Sequence, residues 1–112
     1  MTKSKQTTLY RYSYHNKAFK METFEYCYEQ QTGEYIYYLV YADDTEIDCV
    51  EDWDLNNMNS DYEMWSLSPD MKEFYLKVVK HNKLDMLRKA MSKVNKLKHE
   101  ISYIEEELLT CD

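Results

Sequence analysis

A single glycine, Gly33, and a single proline, Pro69, punctuate a chain of 112 residues. Glycine supplies the positive φ values that the tightest backbone turns demand. A sequence with one of them has no P-loop, no dinucleotide-binding glycine fingerprint and no nucleophile elbow. Three large enzyme classes are excluded before any other residue is read. Material for a core is plentiful, because 44% of the residues are apolar and 15% aromatic, too much for wholesale disorder. Cores split only beyond roughly 250 residues, so a single domain over 1–112 is expected, with a tyrosine-rich acidic sheet over 1–67 and a helical region over 68–112.

Periodicity predicts an α+β fold that opens with an antiparallel meander of four to five strands. Thr8 to Tyr14 alternates, with Tyr10, Tyr12 and Tyr14 on one face, as in a half-buried strand. His15-Asn16-Lys17 turns the chain into a second strand, Phe19 to Glu29, with Phe24, Tyr26 and Tyr28 opposite Glu25, Cys27 and Glu29. Gly33 closes a hairpin loop, and Tyr35 to Tyr41, amphipathic or apolar on both faces, suits a central strand. After Asp43-Asp44, Thr45, Ile47 and Cys49 alternate with Glu46 and Asp48, whose carboxylates should face water. Three Asn and three Asp in Glu51 to Asp61 favour a loop, and Tyr62 to Leu67 reads as a last short strand.

Ser68-Pro69-Asp70 then supplies a helix start, with a hydroxyl cap, Pro at the first helical position and an acid in the first turn. Met71, Phe74, Tyr75 and Val78 form a first apolar stripe, suited to covering the sheet. Leu87, Ala90, Val94, Leu97, Ile101, Ile104 and Leu108 repeat with spacing 3, 4, 3, 4, 3, 4, a heptad seam suited to packing on another helix. Between them Lys80-His81-Asn82-Lys83 puts polar residues at seam positions, and a break near Asn82 is expected. The seam has two candidate occupants. One is an antiparallel copy of itself, giving a coiled-coil homodimer with Lys93, Lys96 and Lys98 near the partner's acidic last turns. The other is the chain's own first helical turns and sheet.

Charge is segregated in blocks. Residues 1–20 carry five bases and no acid, and residues 21–71 carry fourteen acids and no Lys or Arg. Residues 72–98 carry nine bases against two acids, and residues 99–112 carry five acids alone, for a net −7. Fourteen neighbouring carboxylates oppose compaction unless bases lie close by or a cationic partner is intended. The cysteines, Cys27, Cys49 and Cys111, are odd in number and form no C-x-x-C pair, which fits neither a disulfide framework nor a zinc site. A reducing, cytoplasmic setting is expected, with no export signal and no membrane span.

For chemistry the sequence offers little. Asp52 to Glu63, DWDLNNMNSDYE, resembles the calcium loop of EF-hand proteins, with Asp52, Asp54, Asn56, Ser60 and Glu63 at ligand positions. Asn59 stands where that family has an apolar residue, and Pro69 interrupts the exiting helix, so no metal site is expected. His15, His81 and His99 have no second ligand at helical spacing, and no Ser or Cys sits in a nucleophile motif. No catalytic residue and no cofactor are expected.

A tyrosine-rich meander followed by a Lys/Glu-rich helix resembles small accessory proteins of bacteriophages, and the acidity resembles that of anti-restriction and anti-CRISPR inhibitors that imitate DNA. The resemblance implies a non-enzymatic, host-defence inhibitor whose target is a basic, nucleic-acid-handling protein rather than nucleic acid itself. The residues expected to make that contact are Asp43, Asp44, Glu46, Asp48, Glu51, Asp52, Trp53 and Asp54. The alternative is a structural or adaptor protein that oligomerises through the seam, its acids serving only solubility.

Overall fold

The structure, a computed structural model, describes residues 3–111. Its fold is α+β. Five strands, β1 (Lys3–His15), β2 (Ala18–Thr32), β3 (Tyr35–Ala42), β4 (Thr45–Glu51) and β5 (Glu63–Ser66), precede one helix, α1 (Lys72–Leu109). The sheet has the order β4-β3-β2-β1-β5 and every pair is antiparallel.

Three tight hairpins are built from a sequence with one glycine because Asn and Asp tolerate the left-handed region better than other side chains. Asn16 and Lys17 sit at φ 53° and 63°, and Asp43 and Asp44 at 51° and 62°, both pairs having the two positive φ values of a type I′ turn. Gly33, at φ 63°, opens the third hairpin.

Alternation along β1 separates two cores on opposite faces of the sheet. Leu9, Cys27, Tyr38, Val40, Val50 and Trp65 form one, with Phe24, Ile36 and Leu55 packed against it. Leu55 belongs to the connection that leads from β4, at one edge, to β5, at the other, and Asn56 N–H donates to the Trp65 carbonyl at 2.7 Å. The second core gathers Tyr12, Met64, Tyr75 and Val79, with Tyr10, Tyr14 and Phe19 at its rim, so the three alternating tyrosines of β1 share a face as their spacing requires. In β2 the expected faces are corrected. The β1–β2 register steps from Thr7↔Cys27 to Leu9↔Phe24, which places one extra β2 residue between them, a bulge. Phe24 therefore joins Cys27 in the first core, and Tyr26 is left 60% exposed. β4 is an edge strand open on both faces. Glu46 and Asp48 face water as expected, but so does Ile47, and Val50 is its one buried residue.

The helix begins at Lys72, three residues beyond Pro69. The Tyr12 hydroxyl explains the delay, since it donates to the Ser68 carbonyl (2.7 Å) and accepts the Met71 N–H (3.0 Å), tying the segment before the helix to β1. Ser68 Oγ accepts the Asp70 N–H, at 3.2 Å. The buried stripe is Tyr75 and Val79, flanked by Met71 and Leu76, whereas Phe74 remains 46% exposed. The expected break near Asn82 is absent, and α1 runs unbroken for 38 residues. Polar residues at seam positions do not disturb the i→i−4 ladder, and nothing from residue 70 onward is Gly or Pro. What changes there is packing, because the chain divides into two compact units between Val79 and Lys80. Among the described residues no helix is long and apolar enough to cross a membrane.

Candidate functional site

The eight residues expected to make a contact all lie along the β4 edge. Asp43 and Asp44 form the turn into β4, Glu46 and Asp48 project from it, and Glu51 ends it. Asp52, Trp53 and Asp54 follow as one turn of 3-10 helix, closed by reciprocal hydrogen bonds between Glu51 and Asp54. All are exposed except Glu51, whose carboxylate accepts the Tyr35 hydroxyl at 2.9 Å. Trp53 is 60% exposed and its ring lies 5.4 Å from that of Tyr35.

These carboxylates enter no ion pair among the described residues. Among the described residues, Arg11 and Lys20 both engage Glu22, Lys77 engages Glu73 and Lys89 engages Asp85, and no acid between 43 and 54 takes part. Their effect registers on neighbouring groups. Burial, then Glu46, Glu51, Asp48 and Asp54, push the Cys49 thiol above its ordinary pKa. Burial and the hydrogen bond to Glu51 raise Tyr35 to about 12.

Two hollows flank the edge. One, of about 410 Å³, is lined by Tyr26, Tyr28, Tyr41, Asp43 and Asp44, with the Tyr28 and Tyr41 rings edge to face at 5.6 Å. The other, of about 200 Å³, lies on the side of the first core, with Asp48, Asp54 and Glu63 around Val50 and Trp65. Tyr26, Tyr28 and Tyr41 were not among the expected contact residues. The density of tyrosine between Tyr10 and Tyr38 was a signal for such a surface, but which rings reach it depends on the β2 bulge and the β2–β3 register.

The remaining sequence candidates are dispersed. In Asp52 to Glu63, Asn59 Oδ1 accepts the N–H groups of Asp61 and Glu63, both at 2.9 Å, which organises that stretch as an Asn-centred turn. Among the described residues no three His, Cys, Asp or Glu side chains converge as metal donors. His15, His81 and His99 are exposed and lie in separate places on β1 and α1. In the unit that starts at Lys80, the seam residues Leu87, Val94, Leu97, Ile101, Ile104 and Leu108 are 49 to 64% exposed, and Ala90 is exposed with them.

No protein-family model, curated protein or solved structure matches this chain.

Proposed function

We propose that this is a non-enzymatic binding protein that presents the acidic, tyrosine-bearing β4 edge to a basic protein surface of the kind that handles nucleic acid. The observation that supports this most is the set of seven carboxylates between Asp43 and Asp54 that form no ion pair among the described residues, beside Tyr26, Tyr28, Tyr41 and Trp53. Unneutralised carboxylates attract a cationic surface over distance and raise the rate of encounter. Tyr and Trp then supply rigid, amphipathic contact area at little entropic cost. Carboxylates spread along a strand edge occupy positions a basic protein keeps for phosphates. Such a protein would inhibit its target by occupancy, in the manner of the phage anti-defence inhibitors it resembles, and would act in the cytoplasm of the cell that holds the target.

The test is capture from that cell's lysate at low salt, read by mass spectrometry, with three baits. These are the intact protein, a variant with Asp43, Asp44, Glu46, Asp48 and Glu51 changed to Asn or Gln, and a variant with Lys93, Lys96 and Lys98 changed to Gln. Basic proteins retained by the intact and lysine-variant baits and lost from the acid variant support the reading. Retention by the acid variant with loss from the lysine variant overturns it in favour of an adaptor that works through α1. The exposed seam favours that second reading, and the two surfaces share no residue.

A further inference from the structure

We infer that the occupant of the α1 seam is a second copy of this chain, aligned antiparallel, with Leu87 of each copy level with Ile104 of the other. The inference rests on the seam reading and is independent of the acidic edge. From Leu87 to Leu108 the apolar strip runs about 32 Å along the helix. It is widened by Met86, Met91 and Leu109, which are also exposed. At a width near 10 Å that is on the order of 300 Å², a contiguous apolar patch of the size that marks an interaction surface.

Charge selects the occupant and its direction. With Leu87, Val94, Ile101 and Leu108 as one seam position and Ala90, Leu97 and Ile104 as the other, the flanking residues on one side are Met86, Lys93, Glu100 and Glu107, and on the other Leu84, Met91, Lys98 and Glu105. In a parallel, in-register pair each residue of the first set faces the residue five positions later on the other copy. Lys93 would then face Lys98, and Glu100 would face Glu105. Every charged flanking pair so made is like-charged, and each occurs twice.

In an antiparallel pair the first set faces itself and so does the second. With Leu87 level with Ile104, Ala90 is level with Ile101 and Val94 with Leu97, so six apolar layers form across the two-fold axis. Lys93 then faces Glu100, twice. Leu84 faces Glu105 and Met91 faces Lys98, pairs without repulsion. The same alignment sets Lys80 level with Cys111, so the whole unit that begins at Lys80 is overlapped. It also corrects a conflict within one helix. Nine bases against two acids in 72–98, then acids in the last turns, oppose the helix's own dipole. A reversed neighbour lays basic turns beside acidic ones.

The test uses a background with Cys49→Ser and Cys111→Ser, since both cysteines are exposed while Cys27 is buried. Leu87→Cys and Ile104→Cys are made separately in it and incubated in a glutathione redox buffer, each alone and mixed in equal amounts. The expected result is a disulfide-linked dimer on a non-reducing gel in the mixture and in neither single sample. Cross-linking of each variant alone, or a mixture without any, overturns the alignment. Sedimentation equilibrium of the intact protein supplies a reading free of substitutions. A species of twice 13.7 kDa is expected, converted by Ile101→Asp to monomer with the fluorescence of Trp53 and Trp65 unchanged. A monomer for the intact protein at 100 µM overturns the inference.

Discussion

Removing one oxygen from Tyr12 should cost this fold more than its size suggests. The Tyr12 side chain is fully buried, its ring stands 5.9 Å from that of Tyr75 and 6.2 Å from that of Phe19, and its hydroxyl serves both the Ser68 carbonyl and the Met71 N–H. Tyr12→Phe keeps the ring contacts and removes both hydrogen bonds. Each is worth about 0.5 to 1.5 kcal/mol net, and orphaned partners add their desolvation cost, so a loss of about 1 to 3 kcal/mol is expected. In urea, where small proteins lose about 1 to 3 kcal/mol per molar, the midpoint should fall by roughly 1 M. Tryptophan fluorescence is the appropriate readout because Trp65 lies in the sheet unit, whereas helical ellipticity is dominated by the 38 residues of α1. Tyr26→Phe is the control, since Tyr26 is exposed. Should the two substitutions shift the midpoint equally, the hydroxyl does not fasten the start of α1 to β1 and the account of the displaced helix start fails.

Tyr75 donates to the Tyr62 carbonyl and burial raises its pKa from an ordinary 10 to about 12. The neutral form is thus favoured in the folded state, so its contribution is intact below pH 10 and lost as pH rises from 10 to 12. Tyr75→Phe, measured by urea midpoints at pH 9 and 11.5, should show a smaller alkaline loss than the intact protein. Cys49 should react with iodoacetamide more slowly than Cys111 at pH 8, and changing Glu46, Asp48, Glu51 and Asp54 to their amides should speed it, because those acids help raise its pKa. With Asp43, Asp44, Glu46 and Asp48 changed to their amides the protein should melt no lower than the intact one, since these exposed carboxylates form no ion pair among the described residues and removing them relieves repulsion; a fall in midpoint by differential scanning calorimetry would contradict this.

The parts of the fold that were legible in the sequence are those set by local pattern. Period-two alternation gave β1 and the shared face of its tyrosines, and Asn16, Gly33 and Asp43-Asp44 marked the three hairpins. The features that escaped are set by contacts distant in sequence. No residue near Phe24 announces that Cys27 will pair with Thr7 and leave a bulge, and plain alternation puts Phe24 on the face of Tyr26 and opposite Cys27, whereas the bulge brings Phe24 and Cys27 to the same core. The start of α1 is decided by a hydroxyl 59 residues away from Met71. The stripe that packs is Tyr75 and Val79 rather than Phe74, because Tyr12 and Met64 set which side of the helix meets a surface. Near Asn82 the side-chain pattern changes while the backbone does not, because the hydrogen-bond ladder asks nothing of side-chain polarity. At the candidate site the acids were legible as a charge block, while the tyrosine hollow beside Asp43 and Asp44 was not, because two strands and a bulge assemble it.

The most direct test of the acidic edge is the salt dependence of affinity for a purified basic partner obtained by the capture experiment, compared between the intact protein and the five-acid variant. Each exposed carboxylate contributes on the order of 0.2 to 1 kcal/mol, so the four exposed ones among the five, Asp43, Asp44, Glu46 and Asp48, amount to about 1 to 4 kcal/mol and a severalfold change in Kd. Between 50 and 500 mM salt, where the screening length shrinks from roughly 14 to 4 Å, the intact protein should lose affinity steeply. The five-acid variant should start weak and change little. Equal affinities for the two proteins with no dependence on salt would show that the contact is made elsewhere.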